Sequence, residues 1–228
     1  MKILILVQEH NTDDKNFIKY KEIWNKKIDY IKKHNLPIEV IYLNSNPELD
    51  CEYKIIDSTL YSKCIENYWE ALLIKVTNGF DYFVKSDFDL VFKTNLSTFI
   101  NFDKFLDVCN NLDFTREYIY DGFVGDYKGF WFCSGAGMLL NKKSCELILQ
   151  NKNLISEEWT DDIFFGYILN SQNNIVPNVS KIERFDILAP TENFNLEHLK
   201  NFSHIRVKIR QSEWDSLVFD NLYKLFYE

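Results

Sequence analysis

Two aspartates separated by one residue, Asp87 and Asp89, are the side chains in this sequence best suited to hold a divalent cation. In an extended chain, residues i and i+2 share a face, so both carboxylates can point toward one ion while Phe88 points away. Mn²⁺ and Mg²⁺ prefer oxygen ligands of this kind. The pair stands in an apolar segment, residues 81–92, that we interpret as a strand, and the sequence therefore predicts a metal site where that strand ends. A solvated turn is the alternative interpretation.

Two alternating hydrophobic periods predict the elements that must position this pair. Short apolar runs are typical of buried strands, and apolar residues that recur every three or four positions are typical of amphipathic helices. The predicted strands are residues 2–7, 38–43 and 81–92. The predicted helices are residues 17–31, 61–76, 103–109, 142–150 and 161–169, and Asn78-Gly79 is a predicted stop signal. This order predicts an α/β fold with a mostly parallel sheet flanked by helices, as a single domain over residues 1–228.

The ends of the predicted strands are where a ligand is expected. In open parallel sheets, ligands bind beyond the carboxyl ends of the strands. Gln8, His10 and Asn44 follow the first two predicted strands and are therefore candidates for contacting a ligand. The sequence contains no GxGxxG, GxxxxGK[ST] or HExxH motif, which disfavours a dinucleotide-binding Rossmann site, a P-loop and a zinc-peptidase site.

The composition argues against several classes of protein. The 228 residues are 46% hydrophobic and carry a net charge of −8, whereas a general nucleic-acid binder needs a basic surface. No apolar stretch reaches the roughly 20 residues that span a bilayer. No signal peptide is recognisable either, so we expect a cytoplasmic protein. The 5 cysteines form an odd set without a CxxC spacing, which disfavours a disulfide framework or a thiolate zinc site.

Three segments, taken in order, resemble motifs of the GT-A glycosyltransferases. Residues 84–89, VKSDFD, are similar to the DxD segment of the β-1,3-galactosyltransferase and Fringe-like families, which reads roughly VKTDDD. Residues 132–140, FCSGAGMLL, are similar to their YCSGGGYVL, and residues 161–166, DDIFFG, to their EDVxxG. The match covers about half of the chain. Phe88 replaces the middle acid, Ala136 the middle glycine, and Ala71 a lysine that the family carries before the DxD strand.

The resemblance implies a GT-A, Rossmann-like sheet and a hexosyltransferase that depends on Mn²⁺, with Mg²⁺ as the alternative ion. In that family a nucleotide-sugar, here expected to be a UDP-sugar, binds the ion through the DxD segment. An acceptor hydroxyl of a glycan or glycoconjugate then displaces the nucleotide with inversion. Asp89 is the implied main metal ligand, and Asp87 holds the ribose or a metal-bound water. The ion stabilises the negative charge that develops on the leaving diphosphate.

Asp162 is the catalytic base that the resemblance implies, because it matches the catalytic aspartate of the family's EDV segment. Thr160 is a predicted N-cap, which places Asp162 in the first turn of the following helix, where the helix dipole favours the ionised carboxylate. Acidic residues also occur in first turns simply as partners of that dipole. The neighbouring Asp161 is assigned to capping or to acceptor binding.

A donor and acceptor pocket is also implied by the resemblance. Its residues are Ser134, Gly135, Ala136, Gly137, Trp131, Trp159 and Asp161. Small residues let the backbone approach a sugar closely. The two tryptophans can stack on a sugar ring, although core packing explains them equally well. Cys133 is interpreted as a buried structural thiol, because no histidine stands near it in the sequence.

His204 is the candidate for a third metal ligand, because many GT-A enzymes carry such a histidine near the C-terminus and imidazole suits Mn²⁺. A structural histidine is the alternative. The residues assigned to the nucleotide-sugar donor are Gln8, His10, Asn44, Lys85, Arg206 and Lys208. Arg206 and Lys208 alternate with apolar residues, so in an extended segment they share one face and can face the diphosphate. A solvated edge strand is the alternative explanation of this alternation.

Two other classes of function stay open. The changed middle acid and the missing lysine motivate a non-catalytic carbohydrate- or partner-binding domain that keeps the GT-A fold. A metal-dependent phosphoryl-transfer enzyme with an unrelated Rossmann-like core is the other. No nucleic-acid partner is expected for any of these classes.

Overall fold

The apolar periods of the sequence correspond to strands and helices along most of the chain in the computed structural model, which describes residues 1–10, 15–67, 70–154, 159–178, 183–188, 196–209 and 212–228. The strands are β1 (Ile3–Gln8), β2 (Ile38–Ser45), β3 (Tyr53–Ile56), β4 (Thr59–Ser62), β5 (Leu90–Asn95), β6 (Thr98–Ile100), β7 (Tyr120–Tyr127), β8 (Phe130–Asn141), β9 (Arg184–Ile187) and β10 (His204–Val207). The helices are α1 (Lys15–Lys33), α2 (Glu70–Lys85), α3 (Phe102–Asn110), α4 (Lys142–Gln150), α5 (Asp161–Gly166), α6 (Leu196–Leu199) and α7 (Ser212–Tyr227). A π-helical segment, Tyr167–Gln172, continues α5.

A mixed sheet is the centre of the first of two compact units, which comprises Met1–Asn11, Pro37–Asn95 and Asp113–Val179. Within the described residues, this sheet has 7 strands in the order β3-β4-β2-β1-β5-β8-β7. The central strands β4, β2, β1 and β5 are parallel, whereas β3, β8 and β7 pair antiparallel with their neighbours. The predicted α/β class, with a mostly parallel sheet flanked by helices, is confirmed. The prediction of a single domain over residues 1–228 stays a prediction.

Helix α2 packs on this sheet through apolar residues at helical spacing, namely Leu73, Val76, Phe80 and Phe83, all of which are buried. Gly79 lies at the closest approach of α2 to the sheet. A Cβ atom at that position would lie 2.8 Å from a methyl carbon of Leu6 in β1 and 3.1 Å from one of Leu43 in β2. The glycine is therefore required by the close packing of the helix on the sheet.

The predicted third strand, residues 81–92, is wrong in its first half. Helix α2 does not stop at Asn78-Gly79 but continues to Lys85, and the strand that follows, β5, begins only at Leu90. The physical reason is that Phe80 and Phe83 bury themselves on the same helix face as Val76. Contacts with the sheet thus outweigh the local stop signal of the Asn-Gly pair.

The second unit comprises Thr12–Leu36, Leu96–Leu112 and Ser180–Glu228. In it α1 packs against α7, with the rings of Tyr20 and Phe219 4.4 Å apart, and a small sheet has the order β6-β10-β9.

Helices α1, α3 and α4 lie close to their predicted positions. Among the described residues, no helix has the length and apolar character needed to cross a membrane.

Lys27 of α1 is fully buried in the second unit among aromatic rings. Its Nζ lies 3.6 Å from the ring centre of Trp24, 4.6 Å from that of Phe99 and 5.3 Å from that of Phe102. No hydrogen-bond partner of this nitrogen occurs in the described part of the chain. Burial therefore lowers the pKa of Lys27 well below that of an ordinary lysine.

Replacing this amine by an apolar group should stabilise the protein. In the unfolded chain Lys27 titrates near the ordinary value of 10.5, so the unfolded state binds the proton more readily and folding weakens as the pH falls below that value. We expect Lys27→Met to raise the free energy of unfolding at pH 7 by about 1–4 kcal/mol, with a smaller gain at pH 10. Urea unfolding at both pH values measures this.

Lys32→Met is the matched control, because Lys32 is an exposed lysine of the same helix. It should change the free energy of unfolding by no more than about 0.5 kcal/mol at either pH. A loss of stability in Lys27→Met would contradict the expectation and would show that the attraction between the ammonium and the rings outweighs the penalty of burial.

Candidate active site

The parallel strands β1, β2, β4 and β5 end at one edge of the sheet, which we call the carboxyl edge. Gln8 ends β1 and lies in register with Leu43 of β2 and Asn95 of β5. Asn44 is the last residue but one of β2, and His10 follows β1. Ligands of parallel α/β sheets bind at this edge. The predicted position of Gln8, His10 and Asn44 is thus confirmed, whereas their role in binding a nucleotide stays a prediction.

The carboxamide of Gln8 is buried without satisfied hydrogen bonds. The residue is 3% exposed, and neither side-chain polar atom has a hydrogen-bond partner within the described residues. Leu6 faces Gly79 of α2, so Gln8, two residues later, faces the same side of the sheet. An unsatisfied buried polar group destabilises a fold by about 1–3 kcal/mol. A polar ligand at this edge can meet that demand.

A largely buried ion pair lies on the β2 side of Gln8. Lys75 of α2 donates hydrogen bonds to Glu66 Oε1 at 2.8 Å and Oε2 at 3.0 Å, and to the backbone carbonyl of Glu9 at 2.7 Å. Ser45 Oγ donates to Glu66 Oε2 at 2.5 Å, and His10 Nδ1 lies 3.1 Å from Glu66 Oε1. We call these five residues the Glu66 cluster.

The hydrogen bonds of the Glu66 cluster keep its carboxylate ionised. Burial by itself raises the pKa of Glu66, but the hydrogen bonds with His10, Lys75 and Ser45 outweigh burial and lower that pKa to about 2. Burial also lowers the pKa of Lys75, and Glu66 opposes that change. The cluster is therefore a fixed pair of charges, and its lysine is held in place by three acceptor atoms.

A second ion pair lies on the β5 side of Gln8. The ammonium of Lys93 lies 2.5 Å from Asp161 Oδ2 and donates to the carbonyl of Gly135 at 2.9 Å and to Asn95 Oδ1 at 3.2 Å. The N–H of Gly135 donates to Asp162 Oδ2 at 3.0 Å. We call these five residues the Lys93 cluster. Burial raises the pKa of Asp161, and the attraction of Lys93 limits the rise.

The predicted run of small residues in β8 is required by a close approach. A Cβ atom on Gly135 would lie 3.0 Å from Lys93 Nζ and 3.3 Å from Asp161 Oδ1. Farther along, the carbonyl of Gly137 would lie 2.7 Å from a Cβ on Gly122 of the neighbouring strand. The group that approaches Gly135 is therefore the Lys93–Asp161 ion pair. Contact of this backbone with a sugar, which the resemblance implies, stays a prediction.

Asp162 has a fixed carboxylate at the start of α5. Its Oδ2 accepts the hydrogen bond from Gly135, and its Oδ1 accepts hydrogen bonds from Thr160 Oγ1 at 2.5 Å and from the N–H of Ile163 at 3.0 Å. Thr160 is the N-cap residue by its backbone angles, as predicted, and its hydroxyl holds Asp162 instead of a backbone N–H. The predicted position of Asp162 in the first turn is confirmed.

The remaining residues of the predicted pocket lie along β8 and before α5. Ala136 is buried, and the backbone N–H of Ala136 donates a hydrogen bond to Ser134 Oγ at 3.4 Å. Trp131 is 48% exposed, with its backbone N–H bonded to Asn170, whereas Trp159 packs on Tyr167 with ring centres 4.7 Å apart. Of the two tryptophans, only Trp131 thus offers a large exposed ring.

The structure overturns the predicted position of the DxD pair. Asp87 and Asp89 precede β5 instead of following a strand, so they lie at the amino ends of the parallel strands, opposite the carboxyl edge. The Lys2 ammonium binds Asp87, and the Lys2 backbone N–H donates to Asp89 Oδ2 at 2.7 Å. Lys85, assigned to donor binding, ends α2 and pairs with Asp81 at 2.6 Å. Because α2 extends to Lys85, this whole segment is displaced from the predicted site.

The residues predicted to hold Mn²⁺ do not fit that ion in this arrangement. At the carboxyl end of β5, where the prediction put two carboxylates, the structure has Lys93, Thr94 and Asn95. The Lys93 ammonium there repels a nearby cation, and it already pairs with Asp161. In the described ranges, no group of three His, Cys, Asp or Glu side chains could hold a metal ion.

His204, Arg206 and Lys208 belong to the second unit. His204 is buried in β10, its Nδ1 lies 3.2 Å from Ser203 Oγ, and burial together with the nearby Arg184 lowers its pKa to about 3. The assignment of His204 as a metal ligand stays a prediction. The assignment of Arg206 and Lys208 to the donor stays a prediction.

The sequence patterns assigned no role to Glu66, Lys75 or Lys93. One signal was available for the lysines. Lys75 and Lys93 each interrupt an apolar run, LLIKV and LVFKT, in an element that must be buried. A lysine in such a place is rarely buried unless it is paired. Cys133, by contrast, is buried in the core as predicted, and its N–H donates to the Tyr120 hydroxyl at 2.7 Å.

Comparison with known proteins supports the fold class. No protein-family model matches the sequence, and no curated protein matches it. Among solved structures, a glycosyltransferase involved in the glycosylation of the major capsid of PBCV-1 is similar in fold, with a TM-score of 0.59 and 10% sequence identity over 97% of this chain and 100% of that chain. The Rossmann-like α/β fold of a glycosyltransferase is thus shared. The resemblance to the Fringe-like family stays a prediction.

The Glu66 cluster predicts a definite loss of stability in acid. The pKa of Glu66 is lowered from 4.5 to about 2, so its contribution to folding is present above pH 4.5 and is lost as the pH falls through that interval. We expect Glu66→Gln to show a smaller decrease of unfolding free energy between pH 5 and pH 3 than the wild type. The exposed Glu48 gives the control Glu48→Gln, which should follow the wild type. An unchanged acid response in Glu66→Gln would contradict the expectation.

The Lys93 cluster predicts strong coupling between its two charges. Lys93→Met leaves the Asp161 carboxylate buried without its partner and should lower the unfolding free energy by about 3–5 kcal/mol. In Lys93→Met/Asp161→Asn the loss should be smaller than in Lys93→Met alone, because no unpaired charge remains. Urea unfolding measures both, with the exposed Lys54→Met as control. Additive losses in the double variant would show that the pair is not coupled.

Proposed function

We propose that this chain transfers a sugar from a nucleotide-diphosphate donor to a hydroxyl group of a glycan or glycoconjugate. The observation that carries the proposal is the Asp162 carboxylate, fixed beside Gly135 at the carboxyl edge of the sheet. The similarity in fold to a glycosyltransferase supports this choice among the reactions that use a fixed carboxylate. Hexosyl transfer, a UDP-sugar donor and inversion are the finer parts of the proposal and come from the motif resemblance.

The donor lies across the carboxyl ends of β1 and β2 in this proposal. Gln8 supports the position, because its buried carboxamide needs hydrogen-bond partners and a nucleoside supplies both donors and acceptors. Lys75 and Lys93 bring two positive charges to this edge, but Glu66, Asp161 and Asp162 are carboxylates there. The diphosphate therefore needs further positive charge, and added Mn²⁺ is one arm of the experiment below.

Asp162 acts as the general base in the proposed reaction. Its Oδ2 accepts one protein hydrogen bond and keeps a lone pair for the hydroxyl of an acceptor. The acceptor proton passes to Asp162, the acceptor oxygen bonds to the anomeric carbon, and the bond from that carbon to the diphosphate oxygen breaks. Because the attack comes from the face opposite the leaving nucleotide, the configuration at the anomeric carbon inverts. The Thr160 hydroxyl and the Gly135 N–H hold the carboxylate in one orientation.

Trp131 supports an acceptor site on the same strand. It lies in β8, which also carries Gly135, and its exposed ring can cover the apolar face of a sugar. The hydrogen bond from its backbone to Asn170 fixes the strand to the segment that follows α5.

Removal of the Asp162 carboxylate should abolish transfer and leave donor binding intact. Asp162→Asn is expected to lower kcat by about 10²–10⁴-fold because the acceptor proton loses its base, while the Kd for the nucleotide stays within about threefold. The assay measures release of nucleotide from a panel of UDP-, GDP- and ADP-sugars, with Mn²⁺, with Mg²⁺ and with EDTA. Asp126→Asn, at an exposed position of β7, is the control and should keep full activity.

Two results would reject or change the proposal. If no donor in the panel is turned over or bound in any of the metal conditions, glycosyl transfer from a nucleotide-sugar is wrong for this chain. If the wild type binds a donor without turning it over, and Asp162→Asn binds that donor equally well, the non-catalytic carbohydrate-binding alternative would be favoured instead.

A further inference from the structure

Strand β8 has a bulge next to the candidate active site. Gly122 of β7 pairs with Met138 of β8, but Val124, two residues farther along β7, pairs with Cys133. Residues 134–137 of β8 therefore correspond to a single residue of β7, and we call this segment the β8 bulge. The register of β8 with β5 also ends at Met138. Bulges often occur beside active sites, where they change the direction of the chain.

Two neighbouring side chains of β5 hold the β8 bulge in place. Lys93 Nζ donates a hydrogen bond to the carbonyl of Gly135 at 2.9 Å, and Thr94 Oγ1 donates one to the carbonyl of Ala136 at 2.8 Å. Both side chains are buried, and Asp161 fixes the Lys93 ammonium from the side of α5. Because buried donors of this kind have few other partners within reach, their hydrogen bonds determine where the backbone of the bulge lies.

The β8 bulge in turn contacts the carboxylate that we propose as the base. The N–H of Gly135 donates to Asp162 Oδ2 at 3.0 Å, so the two peptide groups of Gly135 connect Lys93 to Asp162. A displacement of about 1 Å at a reacting group lowers a rate by about 10²-fold. The position of the bulge therefore affects the position of the oxygen that receives the acceptor proton in the proposed reaction.

We propose that Thr94 and Lys93 are positioning residues for Asp162, which act through the β8 bulge without contacting the substrate. The inference rests on the proposed transfer reaction and adds to it the part of the fold that orients its base. Thr94 gives the sharper test of the two, because its hydroxyl carries no charge and valine has the same shape without the hydroxyl. Thr94→Val removes one of the two hydrogen bonds from β5 to the bulge and leaves the ion pair of Lys93 in place.

The test compares Thr94→Val with the wild type by two measurements, the hydrogen exchange of the Gly135 amide by NMR and kcat with the nucleotide-sugar panel. We expect the Gly135 N–H to exchange about tenfold faster in the variant, because the bulge that presents it to Asp162 opens more readily. We expect kcat to fall by about tenfold, while the Kd for the nucleotide stays within about twofold. Thr94→Ser restores the hydroxyl and should return both quantities to within about twofold of the wild type.

Thr77→Val is the matched control for the valine variant. Thr77 is also a buried threonine, and its hydroxyl donates to a backbone carbonyl, that of Leu73, within α2. The control should leave the exchange of the Gly135 N–H and kcat within about twofold of the wild type. A merely structural role of Thr94 predicts equal effects of Thr77→Val and Thr94→Val on both quantities, and that result would overturn the proposal.

Lys93→Met/Asp161→Asn removes the other hydrogen bond to the bulge and gives a second test, which decides if Thr94→Val does not fold. Its Gly135 N–H should exchange about tenfold faster than in the wild type, and its kcat should be about tenfold lower, although it is more stable than Lys93→Met. Activity that recovers together with stability in this double variant would contradict a positioning role.

The two measurements distinguish failure of this inference from failure of the proposed reaction. If the wild type transfers no sugar, the reaction is rejected, and the exchange of the Gly135 N–H decides by itself whether Thr94 holds the bulge. If the wild type is active, the positioning role is wrong when Thr94→Val leaves either the exchange or kcat unchanged, and the reaction stands.

Discussion

The ion pair between Lys93 and Asp161 is the interaction on which the carboxyl edge depends. It connects the end of β5 to the first turn of α5 and crosses directly over Gly135 of β8. Both residues are buried, so each charge is tolerated only because the other lies beside it. Gly135 accepts from Lys93 through its carbonyl and donates to Asp162 through its N–H. The orientation of the Asp162 carboxylate is therefore set by a strand, a glycine and an ion pair that need not touch any substrate.

The two edges of the sheet hold their carboxylates differently. At the amino edge, Asp87 and Asp89 are exposed and bind the flexible side chain and the backbone of Lys2, so the energy of each contact is small. At the carboxyl edge, Glu66 and Asp161 lie against the buried lysines Lys75 and Lys93, and each lysine also donates hydrogen bonds to other acceptors. Rigid charges of the second kind suit a reaction, because a preorganised group needs no rearrangement as the reaction proceeds.

The sequence was sufficient for the elements whose period is long and uninterrupted, such as α1 and α4, and for the buried runs of β1 and β2. It failed between α2 and β5, where apolar residues suit a helix and a strand equally well. What decides there is the burial of Phe80 and Phe83 on the sheet, which the close approach of Gly79 to Leu6 and Leu43 permits, and no local pattern contains those contacts. The error then moved Asp87 and Asp89 from one edge of the sheet to the other. A motif of three residues thus has no functional meaning until the end of the strand that carries it is known.

A residue of the candidate site could be predicted where its place in the sequence, at the end of a strand or the start of a helix, fixes its place in the fold. Gln8 and Asn44 follow from strand ends, and Asp162 from a helix start, but the partners of Lys75 and Lys93 lie on other elements. A lysine within a buried apolar run does demand some partner, and for these two the partner is a carboxylate at the carboxyl edge. Lys27 shows that the rule is incomplete, because aromatic rings surround its nitrogen in place of a carboxylate. A buried lysine therefore indicates a site only when an acidic residue converges on it, since a surround of aromatic rings leaves no further group that could bind or react.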